Sequence, residues 1–154
     1  MLALKIIFMI FLEKPTDFNP TMRVSACMIV VKDEFLNLET GSHKKLAGLW
    51  GVPAGKIENG ENPKEGIIRE VKEETGIELN KSELNKFKLI YVRYPEIDFE
   101  YYMFYVIMKE KPQVSLDGKE NSNYLWTTKE GALKLPLIPD EGPCVELFFN
   151  EVKL

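Results

Sequence analysis

Three glutamates near the middle of the chain stand at a spacing that favours metal chemistry. Glu70, Glu73 and Glu74 occupy positions i, i+3 and i+4 of a predicted helix, so their side chains share one face. Close carboxylates repel one another, and the last helical turn is already negative because of the helix dipole. Mg²⁺ would relieve this repulsion, because carboxylate oxygens are its preferred ligands. Taken alone, the helix slightly favours the alternative, a solvated charged face.

Capping signals predict the bounds of this helix. Asn62 is a suitable N-cap, Pro63 fits the first helical position, and Glu65 completes a variant of the capping box. Gly76 supplies the stop signal. The sequence therefore predicts a helix over Pro63–Thr75.

The loop before the helix completes a longer pattern: glycine, five residues, glutamate, seven residues, then Arg-Glu-aliphatic-x-Glu-Glu-x-Gly-aliphatic. Its defined positions are filled by Gly55, Glu61, Arg69, Glu70, Val71, Glu73, Glu74, Gly76 and Ile77. In this pattern the chain resembles the Nudix hydrolase superfamily, and within it the MutT-like branch. Because every defined position of the pattern is filled, the interpretation of the glutamates as a metal site is now favoured over that of a solvated charged face.

The resemblance implies a fold and a reaction. The fold is α+β, an α/β/α sandwich with a central mixed β-sheet. The reaction is hydrolysis of the diphosphate linkage of a nucleoside diphosphate derivative, such as a nucleoside triphosphate, an oxidised nucleotide or a nucleotide-sugar. The implied cofactor is Mg²⁺, with Mn²⁺ as a substitute. The implied partner is a small-molecule nucleotide, and family habit also suggests a homodimer.

The resemblance also assigns roles to the residues of the motif. Glu73 and Glu74 are expected to be the principal metal ligands, with Glu70 as a further ligand or as a residue that positions the attacking water. The backbone carbonyl of Gly55 is expected to complete the metal site. Arg69 is expected to orient Glu73, which agrees with their i,i+4 spacing.

A glutamate outside the motif is a further catalytic candidate. In relatives, a loop glutamate shortly before a tryptophan can approach the metals and act as a base, and Glu120 precedes Trp126 by six residues. The alternative is a plain acidic residue in a surface loop. Either Glu74 or Glu120 is therefore expected to take the proton of the attacking water.

Substrate-binding residues are less well constrained. Many relatives carry an arginine at the end of the second strand, where this chain reads Leu38-Glu39-Thr40. Either Lys44 or Lys45, in the following loop, is expected to take its place, or the substrate is held in a different way. Tyr94 lies 17 residues past the motif, where some relatives that cleave diadenosine polyphosphates have a tyrosine.

Runs of β-branched and aromatic residues predict the strands that position these groups. The predicted strands are 23–32, 35–40, 87–94, 99–109 and 124–127. A short helix capped by Thr127 is expected to run through Leu133, and apolar residues at helical spacing from Val145 to Val152 predict a terminal helix. This mixture predicts a sheet with helices on both faces.

Composition limits the class of protein and its partners. The chain has 154 residues, 45% of them hydrophobic and 29% charged, which fits one globular domain. The net charge of -4 argues against a polymeric nucleic-acid partner, which requires a basic surface. Cys27 and Cys144 are interpreted as buried free thiols, which favours a reducing, cytoplasmic location.

The N-terminal segment has no clear role. We expect a single catalytic domain over residues 22–154 and an extension over residues 1–21. The apolar run Leu2–Leu12 is too short for a transmembrane segment, which takes roughly 20 residues. The segment is an extra strand or helix packed on the domain, an extension before a true start at Met22, or a weak membrane-surface anchor.

Two other functions compete with hydrolysis. The first is a Nudix fold that serves as a nucleotide-sensing or protein-binding module. Degenerate modules usually lose glutamates from the motif, and this chain keeps all of them. The second is an isomerase of isoprenoid diphosphates, which would call for a catalytic cysteine near the motif, and none is found there.

Overall fold

A mixed eight-stranded sheet organises residues 8–154, the part of the chain that this computed structural model describes. Its strands are β1 (Met9–Phe11), β2 (Pro20–Val31), β3 (Glu34–Thr40), β4 (Trp50–Gly51), β5 (Ala54–Lys56), β6 (Asn85–Tyr94), β7 (Ile97–Met108) and β8 (Asn121–Thr128). The helices are α1 (Pro63–Thr75), α2 (Lys129–Ala132) and α3 (Glu141–Glu151).

The two longest strands form the centre of the sheet. β2 and β7 run parallel, from Pro20 opposite Asp98 to Val31 opposite Met108. The strand order is β1-β6-β7-β2-β3-β4, with β5 paired to β2 and β8 paired to β3, and these other pairs are antiparallel. The sheet is therefore mixed, as the sequence predicts.

Alternation along β2 divides the core into two layers. Ala26, Met28 and Val30 face a cluster that contains α3 residues, whereas Cys27 and Ile29 face a cluster that contains α1 residues. The main helix contributors are Ile67 and Val71 from α1, and Val145 and Phe148 from α3. The predicted α+β sandwich, with helices on both faces of the sheet, is confirmed.

Helix α1 has the predicted bounds. Asn62 Oδ1 accepts the Glu65 N–H at 2.9 Å, and the Glu65 carboxylate accepts the Asn62 N–H at 3.0 Å, which completes the capping box. Gly76 ends the helix at a φ of 74°, in the left-handed region that favours glycine.

The structure corrects two local predictions. The short helix is capped by Thr128, whose side chain accepts the Gly131 N–H, and not by Thr127, because β8 continues through residue 128. Strand β7 begins at Ile97, and not at the predicted residue 99, because the turn after β6 consists of Pro95 and Glu96 alone. Both cysteines are buried free thiols, as predicted.

Residues before β2 pack against one edge of the sheet. β1 pairs with β6, and the Arg93 guanidinium lies over the rings of Phe11 and Phe18, at 5.7 and 5.8 Å. Arg93 also pairs with Asp17 at 3.2 Å.

The start of the predicted apolar run, residues 1–7, lies outside the described residues. The domain boundary at residue 22 stays a prediction. No helix of residues 8–154 is long and apolar enough to cross a membrane.

Candidate active site

Three carboxylates from two parts of the chain converge beside the sheet. Glu70 and Glu74 are one turn apart on α1, and Glu120 lies in the loop before β8. One oxygen from each lies within 4.8 Å of the others. Glu70 and Glu74 are buried, whereas the Glu120 side chain is about half exposed, at 48%. We call these three residues the carboxylate cluster.

Gly55 allows the close approach of Glu70 to the sheet. It lies in β5, opposite Ser25 of β2. A Cβ atom at Gly55 would overlap the Glu70 carboxylate, so any side chain at this position would displace that group. The glycine of the motif is thus required by the packing of the Glu70 carboxylate, and its backbone lies next to the cluster.

Arg69 braces the loop that precedes α1. Its Nε and Nη2 donate to the two oxygens of Glu61, at 2.9 and 2.7 Å, and Nη2 also donates to the Lys56 carbonyl at 2.9 Å. Its Nη1 donates to Glu70 Oε1 at 2.8 Å. Chiefly through these hydrogen bonds, Arg69 lowers the pKa of Glu61 to about 2. One guanidinium therefore ties the loop to a carboxylate of the cluster.

Glu73 lies on the Arg69 side of the helix. Its carboxylate accepts a hydrogen bond from Arg69 Nη1 at 3.2 Å and is mostly exposed. It does not belong to the carboxylate cluster, although its place on α1 lies between Glu70 and Glu74. The contact with Arg69 occurs at the expected i,i+4 spacing. The role of Glu73 as a metal ligand stays a prediction.

Positive charge reaches the cluster only at its sides, from Arg69 at Glu70 and from Lys44 at Glu120. Burial raises the pKa of Glu74 well above its usual value, and the nearby charges of Glu70 and Glu120 raise it further. Burial also raises the pKa of Glu70, which Arg69 opposes. Among residues 8–154, no lysine or arginine forms an ion pair with Glu74. An oxygen-rich, negatively charged hollow of this kind fits a hard divalent cation.

A pocket of about 190 Å³ opens next to the cluster. It is lined by Leu38, Thr40, Lys44, Gly51, Val52, Ala54, Glu74, Glu120, Asn121 and Ile138. Lys44 Nζ lies 3.8 Å from Glu120 Oε1, so this predicted cation reaches the site. Lys45 is exposed and is not among the lining residues.

Comparison with known proteins agrees with this geometry. A family model described as the NUDIX domain matches residues 21–148. The chain belongs to the Nudix family. It is 30% identical to an uncharacterized Nudix hydrolase, YvcI, of Bacillus subtilis (strain 168), over 83% of this chain and 79% of that protein. It is 27% identical to the CTP pyrophosphohydrolase of Escherichia coli (strain K12), over 82% of this chain and 90% of that protein.

A MutT protein from Methanosarcina mazei Go1 has a similar structure, with a TM-score of 0.69 and 28% identity over 88% of this chain and 97% of that chain. This similarity confirms the predicted resemblance to the MutT-like branch of the Nudix family.

Tyr94 lies apart from the lining of this Nudix pocket. Its hydroxyl donates a hydrogen bond to Asp140, and its ring stacks on Phe99 with 5.8 Å between centroids. Burial, together with the charge of Asp140, raises the pKa of Tyr94. The contacts of Tyr94 are thus internal ones, and its role in substrate binding stays a prediction.

Sequence reasoning missed a buried acid pair, Asp140 and Glu141, at the start of α3. Glu141 Oε1 accepts the Val52 N–H at 3.2 Å, and its Oε2 lies 3.4 Å from where a Cβ on Gly51 would stand. Val52 and Gly51 both line the pocket. Burial raises the pKa of Glu141 to about 8, and the charge of Asp140 adds to this effect. The sequence offered no distinguishing signal, because acids are common in the first turn of a helix.

Proposed function

We propose that this Nudix protein is a Mg²⁺-dependent pyrophosphohydrolase that hydrolyses the diphosphate linkage of a nucleoside diphosphate derivative. The observation that carries the proposal is the convergence of Glu70, Glu74 and Glu120 within 4.8 Å, beside a pocket that also contains Lys44. A solvated acidic face would not bury two of its carboxylates next to each other, because burial without a partner is costly.

The carboxylate cluster would hold the cation, with the backbone of Gly55 beside it. Bound there, Mg²⁺ or Mn²⁺ would act as a Lewis acid on the phosphate oxygens and lower the pKa of the attacking water. Arg69 keeps Glu70 in place through the 2.8 Å hydrogen bond and fixes the preceding loop through Glu61. In this proposal Glu73 joins the site through Arg69, at its outer side.

Glu120 is the carboxylate best placed to accept the proton of the attacking water. Its half-exposed side chain borders the pocket, so a proton that it accepts can pass on to solvent, whereas Glu74 is only 5% exposed. The water oxygen then forms a bond to phosphorus as the bridging oxygen leaves with the other phosphate. Lys44, beside Glu120, would offset the charge of the phosphates.

The walls of the pocket support a nucleotide as the substrate. Leu38, Val52 and Ile138 offer apolar surface, and the buried side chain of Asn121 adds hydrogen-bonding groups. The relative named as a CTP pyrophosphohydrolase supports nucleoside triphosphates as the first class to test. Oxidised nucleotides and nucleotide-sugars form the next two classes.

The test is a panel of these three classes of nucleotide, incubated with Mg²⁺, in which release of phosphate, pyrophosphate and nucleoside monophosphate is measured. We expect at least one substrate to be cleaved at its diphosphate linkage into two phosphorylated products, one of which is pyrophosphate when the substrate is a triphosphate cut next to its nucleoside monophosphate. We expect no product after chelation of the metal. Glu70→Gln should lower turnover by about 100-fold or more. The control is Glu78→Gln, because the exposed Glu78 contacts Lys72 and not the cluster. Failure to hydrolyse any diphosphate would instead support a nucleotide-binding module.

A further inference from the structure

The backbone on both sides of Glu120 has fixed partners. The Glu120 N–H donates to Asp117 Oδ1 at 3.1 Å, within the same loop. The Glu120 carbonyl accepts the N–H of Gly41 at 2.8 Å, from the loop that follows β3. Although the side chain is half exposed, the peptide groups that carry it are therefore held between two loops.

An irregularity in the sheet sets the direction of the chain at this point. Along the β3–β8 ladder, Glu39 lies opposite Asn123 and Thr40 lies opposite Asn121, so Ser122 is an extra residue. A bulge of this kind bends its strand and redirects the neighbouring side chains. Glu120 directly precedes the bulge, at the end of β8 that faces the carboxylate cluster.

Gly41 leaves no room for a side chain. A Cβ atom there would lie 2.7 Å from the carbonyl oxygen of Lys119 and 3.2 Å from that of Glu120. Both neighbours are backbone atoms, so relief would require a shift of the Gly41 loop and the chain that carries Glu120 relative to each other. Gly41 does not have a positive φ, so the close approach of the two loops, and not conformational freedom, is what calls for glycine.

We propose that Gly41 is a positioning residue that holds the Glu120 carboxylate within reach of Glu70 and Glu74, and that it thereby sets the affinity of the site for a divalent cation. This inference rests on the proposed function, in which Glu120 belongs to the metal site. The same loop carries Lys44, so one short segment sets the position of a carboxylate and presents a cation to the pocket.

The experiment measures Mn²⁺ affinity by titration without nucleotide, so that its readout does not depend on turnover. The proteins are the wild type, Gly41→Ala, Glu120→Gln and the double variant. We expect Gly41→Ala to weaken Mn²⁺ binding about 10-fold, as the loss of a supporting contact typically does. The double variant should bind no more weakly than Glu120→Gln alone, because Gly41 acts through Glu120. Ser42→Ala, at the next and exposed position, is the control and should bind as the wild type does.

Glu120→Asp tests the same idea without a change at Gly41, in case the alanine variant does not fold. If the backbone is held in place, the shorter carboxylate cannot reach the cation, and its affinity should fall to that of Glu120→Gln. Wild-type affinity in Glu120→Asp would mean that the loop adjusts freely, and would overturn the inference.

Two further results would overturn the inference while the proposed function stands. One is unchanged Mn²⁺ affinity in Gly41→Ala when Glu120→Gln binds weakly. The other is an equal loss of Mn²⁺ affinity when Gly41→Ala is made in the wild type and in Glu120→Gln, since Gly41 would then act through another group. Unchanged affinity in Glu120→Gln would show that Glu120 is not part of the metal site, and the inference would then fail. The proposed roles of Glu70 and Glu74 would still be tested by the nucleotide panel. A wild type that binds no Mn²⁺ would refute the proposed metal site as well.

Discussion

Two groups of acids, all buried except the half-exposed Glu120, lie close to the same pocket and accommodate their charge in different ways. In the carboxylate cluster, oxygens of Glu70, Glu74 and Glu120 converge within 4.8 Å. In the acid pair, each carboxylate has its own donor: the Tyr94 hydroxyl for Asp140 and the Val52 N–H for Glu141. Burial raises the pKa of acids in both groups.

The difference shows that burial and a raised pKa do not by themselves identify a cation site. The acid pair can become neutral by taking up a proton, and its hydrogen bonds are satisfied within the protein. In the cluster, the oxygens face one another, and among residues 8–154 no lysine or arginine pairs with Glu74, whose pKa the charges of Glu70 and Glu120 raise. Convergence of oxygens is the feature that favours a cation, and it distinguishes the proposed metal site from acids that are packed without one.

The largest expected effect is that of Glu74→Gln, which should change turnover and stability in opposite directions. Turnover should fall by about 100-fold or more, because a carboxylate of the metal site is lost. In metal-free buffer, the free energy of unfolding should rise by about 1 kcal/mol or more, because glutamine neither buries a charge nor has to take up a proton on folding. Turnover assays and urea denaturation at pH 8 measure the two effects.

The sign of the stability effect depends on pH. The pKa of Glu74 is raised in the folded state, so the wild type loses stability as the pH rises from the usual range of a glutamate through that raised value. The gain from Glu74→Gln should therefore be larger at pH 9 than at pH 5. A variant that is less stable than the wild type at both values would contradict the view that the cluster is repulsive without metal.

Arg69→Lys should lower turnover by about 10-fold to 100-fold, the usual range for a residue that supports a metal ligand. Lysine cannot reproduce the two-pronged contact with Glu61 while also donating to Glu70. The matched control is Arg93→Lys, because Arg93 of β6 makes a similar two-pronged contact with Asp98 of β7. If both variants lose the same share of turnover, a general loss of stability explains the result.

Helix α1 and its motif were predictable because their signals are local. The cap residues Asn62 and Gly76 lie within one turn of the ends that they define, and the motif places Glu70 and Glu74 one turn apart. The i,i+4 spacing likewise predicted the contact between Arg69 and Glu73. Neither feature depends on how the rest of the chain folds.

Other features of the site depend on contacts that are distant in the sequence. Glu120 could be predicted as a site residue only from its separation from Trp126 in the sequence. The bulge at Ser122 and the contact with Gly41 form only when the sheet assembles. Glu141 resembled an ordinary acid in the first turn of a helix, but its partner Val52 is 89 residues away along the chain. Tertiary packing, and not local preference, determines these positions.

Tyr94→Phe should reduce the free energy of unfolding by about 1–3 kcal/mol, because it leaves the buried carboxylate of Asp140 without its hydroxyl donor. Urea denaturation measures this effect. Tyr91→Phe is the control, since no protein hydrogen bond of the Tyr91 hydroxyl occurs in the described residues. Unchanged stability in Tyr94→Phe would mean that Asp140 does not depend on this hydrogen bond. The KM of the same variant tests the predicted role of Tyr94 in substrate binding, and a rise in KM would support that role.

The acid pair also predicts an effect that depends on pH. Because the pKa of Glu141 is raised from 4.5 to about 8 in the folded state, the folded protein binds one more proton than the unfolded chain between these values. The contribution of Glu141 to the free energy of unfolding should therefore fall as the pH rises through this window, by at most ~1.4 kcal/mol per pH unit, and then level off. Glu141→Gln should remove this part of the slope while its amide oxygen still accepts the Val52 N–H.

Urea denaturation at pH 5, 7 and 9 in metal-free buffer measures the difference between Glu141→Gln and the wild type. We expect the variant to gain relative stability as the pH rises, with most of the gain reached by pH 9. Glu146→Gln, at an exposed position that pairs with Lys129, should show a nearly constant difference. If the difference for Glu141→Gln is equally constant, then Glu141 is ionised in the folded protein across this range. The acid pair would then need a cationic partner of its own, and the distinction drawn between it and the carboxylate cluster would fail.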